Sequence, residues 1–478
     1  MTPAIDTATS SSEGGLQGLA PEVLIQAFRL MYTSRRIDDR EILLKRQNKI
    51  FFQVSGAGHE AIQVAAGLAL RPGHDWCYPY YRDRALALTL GVTPYEMMLQ
   101  AVGAASDTAS GGRQMPSHWS DPAKHIVSGS SPTGTHYGQA VGCAEANRYL
   151  GAAAGESGVV TLVSSGEGAT SEGEFWEAMN AACLTRASVL FLVQDNGFAI
   201  SVPVEQQTAG GSISEVLSGF PGLFRVEVDG TDFLASYHAM QQAARYCREG
   251  NGPALVHAHC IRPYSHSLSD DEKLYKTPAE RNAEAQRDPL ARFPRLLIEH
   301  DILDQHGLER ITQEIDKHVH DVSHEALEQE PPAPATALNH LYSGKIDPCS
   351  PQFECEPQFR GDQRTMVDLI NDTLREEMRR NDRMVVFGED VADCSREQSL
   401  AEVKGKGGVF KVTAGLQTEF GSRRCFNSPI AEAAIVGRAI GMATVGLKPV
   451  CEIQFFDYIW PAMMQIRDEL ATLRWRRH

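Results

Sequence analysis

From about residue 158 the chain alternates strand-length apolar runs with helical stretches, and this pattern constrains the fold more than any other feature. Val159 to Val163 and Val189 to Val193 are continuous, β-branched-rich runs; Phe224 to Val228 and Ala254 to His259 supply two more strands. A strand that is apolar along its whole length is buried on both faces, as in a parallel sheet covered by helices. The expected class is therefore α/β, a parallel sheet with helices on both faces. Residues 171–186 read as one such helix, with Ser171 and Glu174 as a capping box and Phe175, Met179 and Ala182 on one face. Leu24, Phe28 and Met31, at helical spacing, open the domain.

The pattern stops and then restarts. Six of the 24 prolines (Pro331, Pro332, Pro334, Pro348, Pro351, Pro357) crowd one short stretch, which reads as an extended, semi-rigid linker. After it, 366–380 looks helical and Met384 to Phe387 a strand. A Gly/Ala-rich helix over 429–445 follows, then a strand from Pro449 to Phe455 and a helix over 461–475. The expected organisation is a disordered tail over 1–20, a whole α/β domain over 21–330, a linker over 331–363, and the start of a second α/β domain over 364–478.

Charge and composition exclude classes without selecting a function. Forty-five basic against 61 acidic side chains give a net charge of −16, opposite to what nucleic acid or an anionic membrane surface requires. No Lys or Arg precedes Arg29, so the start resembles neither a secretory nor a mitochondrial leader, and no apolar run is long enough to span a bilayer. Ten scattered cysteines form no Cys-x-x-Cys pair, which predicts free thiols in a reducing cytoplasm.

The sharpest local signal is Gly166-Glu167-Gly168-Ala169-Thr170-Ser171-Glu172-Gly173, directly after a strand. Glycines there let backbone N–H groups approach a phosphate, and a helix N-terminus favours an anion. Glu167 breaks the logic of a simple phosphate loop, because its carboxylate repels phosphate unless a metal lies between them. Mg²⁺ suits that position, since it takes few carboxylates and completes its shell with phosphate oxygens and water. A second ligand is expected at a neighbouring strand end. Val189 to Val193 runs into Gln194-Asp195-Asn196-Gly197-Phe198, offering the Asn196 amide oxygen and the Phe198 carbonyl. Alone, Gly-x-Gly reads as a tight turn and Asn196-Gly197 as a β-turn. Both at strand ends, 29 residues apart from Glu167 to Asn196, point to a metal–diphosphate site.

These residues resemble the thiamine-diphosphate motif, Gly-Asp/Glu-Gly followed some thirty residues on by Asn. Ser55-Gly56-Ala57-Gly58-His59-Glu60-Ala61, Gly112-Arg113-Gln114-Met115-Pro116 and the run Gly166 to Ser201 are similar to the α subunit of the decarboxylating component of 2-oxoacid dehydrogenase complexes. Gly388-Glu389-Asp390-Val391, Gly407 to Thr413 and Pro429 to Gly437 look like its β subunit. The chain thus resembles an α–β fusion from about Leu24 onward, with a β part expected to be C-terminally incomplete.

The resemblance implies thiamine diphosphate and Mg²⁺ as cofactors. It implies Glu167, Asn196 and Phe198 as metal ligands. Tyr81, Arg82, Ser131, Thr133, Gly166, Gly168, Ala169 and Arg262 are expected against the cofactor, with Gln454 and Tyr458 near the active site. His266 is expected to face the reacting carbon. Glu432 would activate the pyrimidine, although a glutamate after Ser428-Pro429, read as N-cap and N1, equally complements a helix dipole. The implied reaction is decarboxylation of a 2-oxo acid, with acyl transfer to the lipoyl group of a partner acyltransferase, in a homo-oligomer. Arg113-Gln114-Met115-Pro116 and Ser130-Ser131-Pro132 look like the branched-chain type, with pyruvate or acetoin as competing substrates. A truncated chain serving only as a binding or assembly module is the alternative.

Overall fold

The computed structural model describes residues 16–154, 158–347, 349–354, 356 and 361–477. The expected tail falls largely outside these residues, as do Pro348 and Pro357 of the expected linker.

Five parallel strands form the main sheet in the order β1-β2-β3-β7-β6: β1 Trp76–Tyr78, β2 Thr161–Gly166, β3 Val189–Asp195, β6 Phe224–Asp229 and β7 Ala254–His259. Alternate residues of the central strands enter two different cores. Leu162, Leu190, Leu192 and Val256 pack on one face with the helices Pro21–Arg46, Glu60–Ala69 and Phe233–Arg248. Val163, Phe191, Val193 and Leu255 pack on the other with His136–Ala154 and Gly173–Thr185. Each such side chain contributes roughly 1.5–3 kcal/mol on burial, so both faces hold the sheet. The edge strand β6 is the exception, with Arg225 and Glu227 exposed between partly buried valines.

One expectation about local structure fails here. Ser171 and Glu174 form no capping box. Residues Glu167–Ser171 make their own 3₁₀ turn and the helix begins at Gly173, without a side-chain cap. The Ser171 hydroxyl instead reaches Gln207, and the Glu174 carboxylate accepts from Gln465 of the second domain. Gly168 matters for packing, because a Cβ there would meet the Ala199 Cβ at 2.6 Å. The two-stranded hairpin β4 Phe198–Ala199 and β5 Val202–Pro203 lies against the turn at that point.

Beyond residue 330, two short 3₁₀ turns, Pro334–Leu338 and Pro351–Phe353, are the regular elements described before the helix Met366–Arg380. A second parallel sheet follows, in the order β10-β8-β9: β8 Met384–Gly388, β9 Cys425–Asn427 and β10 Lys448–Glu452. Its helix runs Glu432–Val445 from an Ala431 N-cap, so Ser428 and Pro429 do not cap it. Ser428 accepts instead from Arg438. The expected helix over 461–475 is broken into a 3₁₀ turn (Trp460–Ala462), a π segment (Gln465–Leu470) and a last helical turn (Leu473–Arg477). Gln465 in that π segment donates to the Thr135 carbonyl and the Glu174 carboxylate, which ties the irregular stretch to the first domain.

The helices His136–Ala154 and Glu432–Val445 cross at backbone contact. A Cβ on Gly441 would lie 1.8 Å from the Gln139 carbonyl, and one on Gly142 would lie 2.0 Å from that of Arg438. Beside the crossing, Arg438 grips Glu145 through two bonds of 3.0 Å, both side chains buried. Removing one partner of such a pair costs about 3–5 kcal/mol. Among the described residues no helix is long and apolar enough to cross a membrane. Cys77, Cys143, Cys247, Cys260 and Cys425 are buried free thiols, whereas Cys349 is exposed.

Candidate active site

Parallel register brings the strand ends together: Gly166 lies opposite Gln194, and Asp195 opposite His259. The residues that follow β2, β3 and β7 therefore share one rim, where open α/β sheets bind ligands. A cleft of about 380 Å³ opens there. Tyr81, Arg82, Ser131, Thr133, Gly166, Glu167, Gly168, Ala169, Asn196, Phe198 and His266 all line it.

Two oxygens on that rim are conspicuous. Glu167 is 4 % exposed; its Oε1 accepts from the Thr208 hydroxyl, while Oε2 is buried without a partner. Burial pushes its carboxyl pKa up, against the Thr208 hydrogen bond. Asn196 Nδ2 donates to His59 Nε2 at 3.2 Å, and Oδ1 is buried without a partner. His59 sets this amide orientation. Burial, then Arg82, lowers its pKa to about 3, so the ring is neutral. With its proton on Nδ1, bonded to Gln194 Oε1 at 2.9 Å, Nε2 is an acceptor. Orphaned buried acceptors are costly in a finished structure. A carboxylate oxygen and an amide oxygen left over at one rim fit a hard divalent cation.

The cationic side is equally incomplete. Arg82 is buried, donating to the Ser55 carbonyl (2.7 Å) and to His266 Nδ1 (2.9 Å), with its guanidinium over the Tyr81 ring. Arg262 is 2 % exposed and does not line the cleft directly. Its Nη2 donates to Ile200 O (2.7 Å) and the Tyr275 hydroxyl (2.6 Å), while Nε and Nη1 have no partner. Burial and then Arg82 lower its pKa, so two guanidinium groups repel across this site. An anion between them relieves both the repulsion and the missing hydrogen bonds. Ile200, whose carbonyl Arg262 holds, has φ +58°, a strained conformation for a β-branched residue.

His266 is held neutral. Burial, then Arg82 and Arg262, depress its pKa to about 4. Because Arg82 must donate to Nδ1, the ring proton sits on Nε2. Its ring and that of Tyr81 meet edge to face, with centroids 6.2 Å apart.

Glu432, Gln454 and Tyr458 lie elsewhere; the described cleft residues all come from the first domain. Gln454 donates to Glu389 at 3.0 Å, and burial, then the nearby Glu432 carboxylate, helps raise the Glu389 pKa. Glu389 Oε1, Glu452 Oε1 and Gln454 Oε1 are buried without partners. Glu432 also adjoins Glu177, which accepts from the backbone N–H of Ala434 at 2.9 Å. Tyr458 is partly exposed and packs on Phe455. Sequence reasoning missed the supporting residues His59, Thr208 and Gln194. Of these His59 and Gln194 carried a signal, through their places in Gly58-His59-Glu60 and Gln194-Asp195-Asn196. His136 also lines the cleft and bonds the Ser164 carbonyl at 2.8 Å.

Residues 28–335 match the family described as dehydrogenase E1 component, and residues 362–475 match the transketolase pyrimidine-binding domain. The 2-oxoisovalerate dehydrogenase subunit alpha of Bacillus subtilis is 35% identical over 68% of this chain and 97% of its own length. The 3-methyl-2-oxobutanoate dehydrogenase subunit alpha of Mycobacterium tuberculosis is 34% identical over 63% of the chain and 77% of its own length. The pyruvate dehydrogenase E1 component subunit alpha of Mycoplasma genitalium is 33% identical over 63% and 79%.

Proposed function

Because the chain belongs to the dehydrogenase E1 component family, we propose that it decarboxylates a 2-oxo acid oxidatively, with thiamine diphosphate and Mg²⁺. The acyl group passes to the lipoyl group of a partner acyltransferase. The observation that carries this reading is the pair of orphaned oxygens, Glu167 Oε2 and Asn196 Oδ1, on a rim that also holds Arg82 and Arg262. Branched-chain substrates such as 3-methyl-2-oxobutanoate are favoured by the names of two relatives above and by Arg113-Gln114-Met115-Pro116.

Glu167, Asn196 and the Phe198 carbonyl would hold Mg²⁺, and Arg82 and Arg262 the diphosphate. The backbone of Gly166, Gly168 and Ala169, with Tyr81, Ser131 and Thr133, would line the bound cofactor. Bound there, thiamine diphosphate supplies the electron sink that no side chain offers. His266, neutral with its proton on Nε2, is fitted to donate a hydrogen bond or a proton at the reacting carbon's oxygen. Glu432, backed by Glu389 and near Gln454 and Tyr458, would bind the pyrimidine ring nitrogen and keep it protonated.

The division into 21–330, a linker over 331–363 and a second domain over 364–478 is part of this proposal. So is a homo-oligomer. Ile430, Phe456, Tyr458 and Trp460 are large apolar side chains left exposed in the second domain. Calorimetric titration of thiamine diphosphate with and without Mg²⁺ tests the reading. Binding should require Mg²⁺ and weaken at least tenfold in Glu167→Gln. Equal, metal-independent binding by both proteins would reject it.

A further inference from the structure

At the carboxyl ends of β3 and β7, Asp195, His257 and His259 bring one ligand atom each within 4.8 Å of one another. None of them lines the cofactor cleft. Register explains the grouping. Asp195 pairs with His259 across β3 and β7, and His257 lies two residues back on the same face.

The distances suit one ion. His257 Nε2 is 3.2 Å and His259 Nδ1 3.7 Å from the same oxygen, Asp195 Oδ2. Ligands of a tetrahedral zinc, at 2.0–2.1 Å from the metal, lie roughly 3.4 Å from each other. The other Asp195 oxygen is already taken by the N–H of Gly197 at 2.8 Å. His259 turns its second nitrogen, Nε2, to Glu227 Oε1 at 2.5 Å. A carboxylate behind a histidine in this way fixes the tautomer and orientation of a metal ligand. His257 is fully buried and turns its Nε2 to Asp195 Oδ2.

We propose that Asp195, His257 and His259 bind a zinc-class divalent metal, separate from the magnesium site proposed at Glu167 and Asn196. Glu227 is the outer carboxylate, and the partly exposed His259 leaves a solvent-facing fourth position. Imidazole nitrogens select zinc-class metals, whereas magnesium takes oxygen ligands. The ion ties the ends of β3 and β7, and through Glu227 that of β6, directly beside Asn196.

The test uses the whole chain, stripped of metal and then held in excess Mg²⁺. Zn²⁺ is titrated in competition with a chromophoric chelator. Wild type should hold one tight equivalent more than His259→Ala, and Glu227→Gln should bind that equivalent about tenfold more weakly. Glu167→Gln should keep it. Zn²⁺ should raise the melting temperature of wild type and leave that of His259→Ala unmoved, and Co²⁺ should give wild type alone a four-coordinate visible spectrum. Equal stoichiometry and affinity in wild type and His259→Ala would overturn the proposal. Loss in Glu167→Gln with retention in His259→Ala would overturn it as well, by assigning the ion to the other site.

Discussion

The first-domain cleft and the second-domain acidic cluster differ in chemistry and in how much of each one chain completes. Around the cleft four side chains are each braced by a neighbour: Glu167 by Thr208, Asn196 by His59, Arg82 by Ser55 and Arg262 by Ile200 and Tyr275. What remains unpaired is what a metal diphosphate would use. The cluster instead packs Glu389, Glu432 and Glu452 with Gln454 near an exposed aromatic surface. Burial, then Glu432, raises the Glu389 pKa. Crowded carboxylates repel phosphate and hold protons, so under the proposed function the two regions would divide the work into anchoring and proton handling.

The sharpest way to break that division is Glu432→Gln. It should lower CO₂ release by about 10²–10⁴-fold, the range for a lost acid–base group, while Mg²⁺-dependent cofactor affinity changes little. A matching fall in affinity would merge the two regions into one binding unit. Arg262→Met should do the reverse, weakening thiamine diphosphate by about tenfold to a hundredfold, as expected for charge-assisted hydrogen bonds of roughly 1.5–3 kcal/mol. An unchanged dissociation constant would remove Arg262 from the anchoring side.

Smaller effects sharpen the picture. Gly168→Ala should destabilise the chain by about 1–3 kcal/mol, because the new methyl meets Ala199. A melting temperature equal to that of wild type would show that the turn yields freely. For His266 the sign follows from its depressed pKa of about 4, against roughly 6.5 when unfolded. Between those values the unfolded chain binds more protons, so this residue's contribution is full above about pH 6.5 and fades as pH falls toward 4. Filling the cleft with diphosphate should offset Arg82 and Arg262 and raise the pKa. NMR titration of the ring without and with cofactor measures it; a downward shift would contradict an anion held there.

Much of this was legible from residue order alone. The continuous apolar runs announced the covered parallel sheet, and Glu167 and Asn196 stood at strand ends because ligands gather there. Local capping was misread. Ser171 and Ser428 look like helix starts in sequence, but each hydroxyl is claimed by another side chain, Gln207 or Arg438. The helix expected over 461–475 breaks where Gln465 is drawn to Thr135 and Glu174, more than 280 residues away in sequence. Thr208 was invisible for the same reason, since its role exists only once its loop meets the turn that carries Glu167. Asp195 precedes the ligand Asn196 in sequence, yet its partners His257 and His259 lie on another strand, and only strand register joins them.

The most direct test of the central claim is CO₂ release by the whole chain from 3-methyl-2-oxobutanoate, pyruvate and related 2-oxo acids, with an artificial electron acceptor. Release should depend on both thiamine diphosphate and Mg²⁺, and be fastest with a branched-chain substrate. No release from any 2-oxo acid when both cofactors are present would contradict the account.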